Sequence, residues 1–147
     1  MTICKFLEGT APDNQDRLFS DILSFDDQKI ESVHDLIQWL FLLDEPSRAN
    51  LNAPVLSETD THEIRQSETA RQNLSDSSEW YLKFLSRNFH WIRLHDHNHL
   101  RISRVIKSLR LLHSDQKADE FRREVLNLVA QSEKEVGSIA KKYWEQA

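Results

Sequence analysis

Only two glycines and three prolines occur among 147 residues, so the chain has little of the turn chemistry that sheets, nucleotide-binding loops and flexible linkers require. That scarcity predicts helices. The single cysteine, Cys4, excludes an internal disulfide and suits a reducing compartment. The longest apolar stretch, Leu36 to Leu43 with Gln38 inside it, falls well short of the ~20 residues a membrane-spanning helix needs. No basic leader followed by an apolar segment opens the sequence, and a soluble cytoplasmic protein is expected. Gly-rich phosphate loops, a nucleophile elbow and CxxC pairs are also missing, which leaves nucleotide-binding, hydrolase and zinc-ribbon readings without support. His62-Glu63-Ile64-Arg65-Gln66 places Gln where a zincin helix needs its second His. Neither enzyme activity nor a cofactor is expected.

What is present reads as globular. With 39% hydrophobic and 29% charged residues, the chain can bury a core without a metal or disulfide, and its length suits one domain of the usual ~100–200 residues. The expectation is a single all-α domain over residues 1–147, a bundle of about five to six helices.

The net charge of −5 argues against a general polyanion binder, but the charge is unevenly spread. Residues 1–82 carry 16 acids and 6 bases, whereas residues 83–110 carry seven bases (Lys83, Arg87, Arg93, Arg101, Arg104, Lys107, Arg110) against the single acid Asp96. His90, His95, His97 and His99 lie in the same basic island. It either neutralises the acidic amino-terminal part within one fold or forms a face for an anionic group, and composition does not separate the two.

Apolar spacing places the elements. Leu18, Phe19, Ile22 and Leu23 suggest a short helix. Asp26 or Asp27 caps a longer one in which Ile30, Val33, Ile37, Leu40 and Phe41 recur at helical spacing. With Leu36, Trp39 and Leu43 its apolar surface spans roughly 200°, leaving a polar edge of Glu31, His34, Asp35 and Gln38. Ser57 caps a helical region from about Glu58 to Arg87, with breaks expected near Ser67–Thr69 or Ser75–Ser78. Asn98 is read as the cap of a helix beginning at His99, on which Arg101, Arg104, Lys107 and Ser108 stand opposite Ile102, Val105, Ile106, Leu109 and Leu112. Ser114 starts a long carboxy-terminal helix over 114–147. Its seam of Ala118, Phe121, Val125, Leu128, Ser132, Val136, Ile139 and Tyr143 would pack in the bundle or pair with a second copy as a homodimer.

Two chemistries compete for the basic island. Arg101, Arg104 and Lys107 could follow phosphates while Trp91 or His99 stacks on a base, a nucleic-acid-binding reading. His95, Asp96 and His97 supply donor types that metals prefer, and His95-Asp96 suggests a metal-dependent phosphohydrolase of the HD type, with His34 or His62 and Asp115 or Asp119 as further ligands. Their spacing is poor for a helix, because residues two apart differ by ~200° around its axis.

Two motifs carry a more specific signal. His34-Asp35-Leu36-Ile37-Gln38-Trp39-Leu40-Phe41 resembles the H-x-x-I-Q-W-L-F signature of the opioid growth factor receptor conserved domain family, and His97-Asn98-His99-Leu100-Arg101-Ile102-Ser103-Arg104-Val105-Ile106-Lys107-Ser108-Leu109 resembles its H-N-x-L-R-I-T-R-I-L-x-S-L signature. The resemblance covers about residues 30–113. Leu42 stands where relatives tend to have Pro and Ser86 where they tend to have Gly, which predicts longer, less interrupted helices here. The resemblance implies a helical domain found in receptors for the pentapeptide Met-enkephalin, associated with nuclear membranes and growth inhibition. The function expected is therefore peptide binding or protein interaction, with a peptide or protein partner bearing an anionic group.

The residues themselves suggest where the motifs meet. Trp39, Ile37, Leu40 and Phe41 read as core, whereas His34 and Gln38 are i,i+4 neighbours on one polar edge. If buried, they need partners, and Asn98, Arg101 and Arg104 of the second motif are the candidates. Two readings follow. One is a structural polar network joining two helices. The other is a ligand-binding pocket of His34, Gln38, Trp39, Asn98, Arg101 and Arg104, in which the guanidiniums receive a carboxylate or phosphate against the wall of Trp39 or Trp91.

Overall fold

Nine α-helices and one 3-10 turn make up the regular structure of the computed structural model, which describes residues 2–147. They are α1 (Thr2–Leu7), α2 (Phe19–Leu23), α3 (Asp27–Ser32), α4 (Leu36–Leu40), α5 (Glu58–Gln66), α6 (Glu68–Arg87), α7 (His97–Leu112), α8 (Asp115–Ala130) and α9 (Ser138–Gln146), with the 3-10 turn at Phe89–Trp91. Among the described residues there is no strand, only an isolated bridge between Leu43 and Val55. The all-α class is as expected. Helices outnumber the expected five or six because three of the predicted helical stretches are divided and an additional helix, α1, forms at residues where none was expected, while α7 runs unbroken.

Each division has a local cause. Ser67 closes α5 and opens α6: its Oγ accepts from the Ala70 amide (3.1 Å) and donates to Glu8 (2.7 Å), so the chain turns within one residue. The predicted helix over 30–41 is split at Val33, whose extended backbone (ψ 111°) ends α3. Asp35, just beyond, is held by Arg17 (3.0 and 3.1 Å) and Gln15 (2.6 Å), and Arg17 is itself paired with the buried Asp13. Those bonds draw the chain away from the α3 axis. Nor does Leu42 prolong the second piece: α4 ends at Leu40, so the expectation of a longer helix is overturned there, whereas α6 runs uninterrupted through Ser86 to Arg87.

The carboxy-terminal helix over 114–147 is likewise interrupted. Ser114 caps α8 as expected, but the helix stops at Ala130 and resumes at Ser138. The continuous seam does not exist. In α9 the buried residues are Ala140 and Trp144, whereas Ile139 and Tyr143 are 65% and 54% exposed. Trp144 sets that rotation, since its indole N–H donates to the His99 carbonyl (3.0 Å) and its ring meets His99 edge-on at 5.7 Å.

The core is one contiguous cluster with α7 through its middle, ten of whose sixteen residues are buried. Asp96, not Asn98, caps this helix: its carboxylate accepts from the Asn98 amide (2.9 Å), so α7 begins at His97. Helices α5, α6, α8, α9 and α4 all pack on it. No helix among the described residues is long and apolar enough to cross a membrane.

The loop after the 3-10 turn closes against the start of α9. A Cβ on Gly137 would lie 2.8 Å from the Leu94 carbonyl oxygen, a backbone atom that cannot swing aside. Gly137→Ala is therefore expected to destabilise the protein by ~1–3 kcal/mol, seen as a lower urea midpoint, with Gly9→Ala limited to the cost of its positive φ (86°).

Candidate functional site

The two motifs meet, and they do so through the arginines of α7. Arg101 is buried; its guanidinium donates to the carbonyls of Ile30 (2.8 Å) and Val33 (3.1 Å), with Glu31 at 3.5 Å. One turn along, half-buried Arg104 donates to the carbonyls of Phe41 (2.8 Å) and Gln38 (3.3 Å). The acceptors are the last carbonyls of α3 and α4, which a helix leaves without internal partners and which carry the negative end of its dipole. A planar fork of donors suits several such acceptors at once. Burial pushes the Arg104 guanidinium down to about 10, an effect that the charge of Glu45 only partly offsets.

Asn98 completes the junction. Its side-chain oxygen accepts from the Tyr81 hydroxyl (2.7 Å), and its amide nitrogen donates to Asp96 (2.9 Å) and Glu31 (3.2 Å). Tyr81 is wholly buried, and desolvation raises its phenol well above the ordinary range. Burial opposes ionisation of Asp96, but the bonds from Asn98 and the charges of His97 and Arg93 hold its carboxyl below the usual value. Gln38, buried on α4, accepts from the Asn50 side chain (3.2 Å) and so fastens the 44–56 loop. Trp39 is partly buried, edge-on to Phe6 at 5.2 Å. His34 is exposed, its ring 5.9 Å from that of His97.

Of the six expected site residues, Gln38, Asn98, Arg101 and Arg104 thus form a polar network joining two motifs. The guanidinium donors face carbonyls of the chain itself, and the Asn98 amide faces the carboxylates of Asp96 and Glu31. Trp91 is buried with its indole N–H on the Leu85 carbonyl (2.9 Å), so it walls no pocket here. The expected basic stripe does not face solvent either: Arg101 and Ser108 are buried, Arg104 is half-buried, and Lys107 alone of the set is exposed. His95, Asp96 and His97 do not converge. His95 is exposed, Asp96 caps α7, and His97 reaches Glu31 at 3.0 Å. Glu31 is the residue sequence reasoning passed over: it was visible on the polar edge with His34 and Gln38, and the fold sets it between His97 and His90 (3.1 Å).

Concave surface lies at the far end of α7. A cavity of about 440 Å³ is lined by Asp44, Leu56, Glu58, Thr61, His62, Arg65 and Leu111. A second, of about 360 Å³, shares Asp44, Arg65 and Leu111 with it and adds Lys107 and Glu45, so the two make one groove. The wall of that groove is the loop held by Gln38, pinned at its base by the Leu56 amide on the Leu43 carbonyl (2.9 Å). Neither Arg65 nor Asp44 stands in a motif, which is why the sequence did not single them out.

A helical scaffold in which the arginines of the second motif hold the ends of α3 and α4 defines a small all-α domain. The model of the opioid growth factor receptor conserved region matches residues 10–89, so the chain belongs to that family. The match begins before the first motif and stops short of the second. The mouse opioid growth factor receptor is 34% identical over 98 residues, covering 54% of this chain and 15% of the receptor. The rat receptor is 32% identical over 98 residues, covering 54% and 17%. The chain thus spans less than a fifth of the length of these relatives. No solved structure matches.

Two outcomes are expected from these contacts. Arg101→Ala leaves at least two helix-end carbonyls buried without donors and should cost at least ~3 kcal/mol in urea unfolding, with Arg101→Lys recovering only part of it because an ammonium lacks the fork. Bonds from Arg87 (2.6 Å) and Asn88 (2.9 Å) hold Asp27 down to about 2, below the 3.8 of a free carboxyl. The stability from this group is therefore full above pH ~4 and lost as pH falls towards 2. Asp27→Asn should flatten the decline of the urea midpoint over that window, and an unchanged decline would show that the pair contributes nothing.

Proposed function

We propose that this domain is a peptide- or protein-interaction module and that its ligand lies in the groove between the 44–56 loop, α5 and the end of α7. The observation that supports this most is the lining: Leu56 and Leu111 give an apolar floor, Arg65 and Lys107 supply cations, and Asp44 and Glu58 supply anions. A short peptide with a free carboxylate and a free ammonium needs both signs in one small space. The volume suits such a ligand, and the relatives are receptors by name.

Lys107 is the cation best placed to receive the anionic group. Its ammonium is 3.3 Å from Glu45, but both side chains are about half-exposed (46% and 56%), and a pair in that setting is weak enough for a ligand carboxylate to replace it. Arg65 uses Nε on the Leu111 carbonyl (2.7 Å), which orients the rest of its guanidinium at the groove. In this reading Gln38, Asn98, Arg101 and Arg104 act at a distance, by setting the position of the loop. His34 and the outer edge of Trp39 are the members of the expected constellation that a larger protein ligand could touch.

Calorimetry with an enkephalin-type pentapeptide tests the proposal. The free acid is expected to bind, the carboxy-terminal amide to bind roughly tenfold more weakly, and Lys107→Ala to weaken the free acid by a similar factor, the value of one charge-assisted hydrogen bond. Binding that neither change affects would place the ligand elsewhere, and absence of binding by acid and amide alike would remove enkephalin-type peptides as ligands.

A further inference from the structure

At the opposite end of α7 from the groove, side chains of three chain segments come together: Glu31 from α3, His90 from the 3-10 turn, and Asp96 with His97 from the start of α7, with the His34 ring 5.9 Å from that of His97. One ligand atom of each of Glu31, His90 and Asp96 lies within 4.8 Å of the others. His90 Nε2 is 3.1 Å from one oxygen of Glu31, and His97 Nε2 is 3.0 Å from the other. Residues 31, 90 and 96 are brought together by tertiary structure, so their proximity does not follow from sequence spacing.

The donor set has a chemical identity. One imidazole and two carboxylates are ligands that zinc and its first-row neighbours accept, at about 2.0–2.2 Å each, so the ligand atoms around one ion stand ~3–3.5 Å apart. Small side-chain rotations bring a set within 4.8 Å to that spacing. The outer contacts are also those of metal ligands: the Asn98 amide bonds both carboxylates, Arg93 lies 2.8 Å from Asp96, and His97 holds the second oxygen of Glu31. His90 and Glu31 remain 44% and 29% exposed, so an ion can approach from their side, while the Asp96 side chain is fully covered and closes the cluster from within.

We propose that Glu31, His90 and Asp96 bind one divalent transition-metal ion of the zinc type, with His97 as the positioning residue for Glu31. Three protein ligands leave a further coordination position for solvent. The ion would join α3, the 3-10 turn and the start of α7, stabilising the side of the α7 junction remote from the peptide groove.

The test is titration of the untagged full chain with zinc chloride, read by calorimetry and by thermal unfolding. One ion per chain and a raised Tm are expected. His90→Ala should weaken zinc binding at least ~100-fold and His97→Ala about tenfold, while His95→Ala, an exposed neighbour outside the cluster, leaves it unchanged. If His90→Ala fails to fold, Glu31→Gln keeps the side-chain volume and should show the same loss. No saturable binding, or binding that survives both His90→Ala and Glu31→Gln within twofold, overturns the site and leaves Glu31 as a hydrogen-bonding partner of two histidines. Neither result bears on the peptide groove, which none of these residues lines.

Discussion

The fold depends on a set of hydrogen bonds that no isolated stretch of the sequence could make for itself: the guanidiniums of α7 on the carboxy-terminal carbonyls of α3 and α4. Helices of six and five residues are too short to persist alone, and their last carbonyls would be buried without partners. Arg101 and Arg104 supply those partners from a helix that is itself surrounded, so two short helices are anchored to a long, deeply buried one. The buried cations have helix ends as counterparts in place of carboxylates, and Arg104 accordingly loses part of its basicity.

From that junction the rest of the architecture can be followed outward. Arg104 fixes the exit of α4 at Phe41, Gln38 on the same helix holds Asn50, and the loop so held forms one wall of the groove. In the other direction Asn98 links Tyr81 of α6 to Asp96 and Glu31, and His99 receives Trp144 of α9 through its backbone carbonyl. The same helix therefore positions a groove near its end and a histidine–carboxylate cluster near its start.

Much of this was legible in the residues. The low glycine and proline content, the apolar periodicity and the caps at Asp26, Ser57 and Ser114 specified an all-α domain with helix starts close to those found, and the two motifs do meet, but Arg101 and Arg104 reach backbone carbonyls and not the side chains of His34 and Gln38. Breaks were the harder part. Val33 interrupts a run with ideal helical spacing and no Gly or Pro, because Arg17 and Gln15 pull on Asp35 and Arg101 satisfies the ends that a break exposes. Periodicity reports which residues are apolar, and tertiary bonds decide whether the axis continues. For the same reason Arg101 and Arg104 read as a solvent-facing stripe: a helix-wheel argument assigns cations to water and has no means of placing a second helix's carbonyls opposite them. The groove was illegible because Asp44 and Arg65 are scattered ordinary surface charges until the loop closes over α5, and Lys107, though part of the basic stripe, had nothing to associate it with them.

Amide hydrogen exchange compared between the native chain and Arg101→Lys reads the central interaction most directly. The account predicts that protection falls selectively in α3 and α4, over residues 27–41, while α8 keeps the protection of the native protein. Uniform loss throughout the chain, or unchanged protection in α3 and α4, would contradict it.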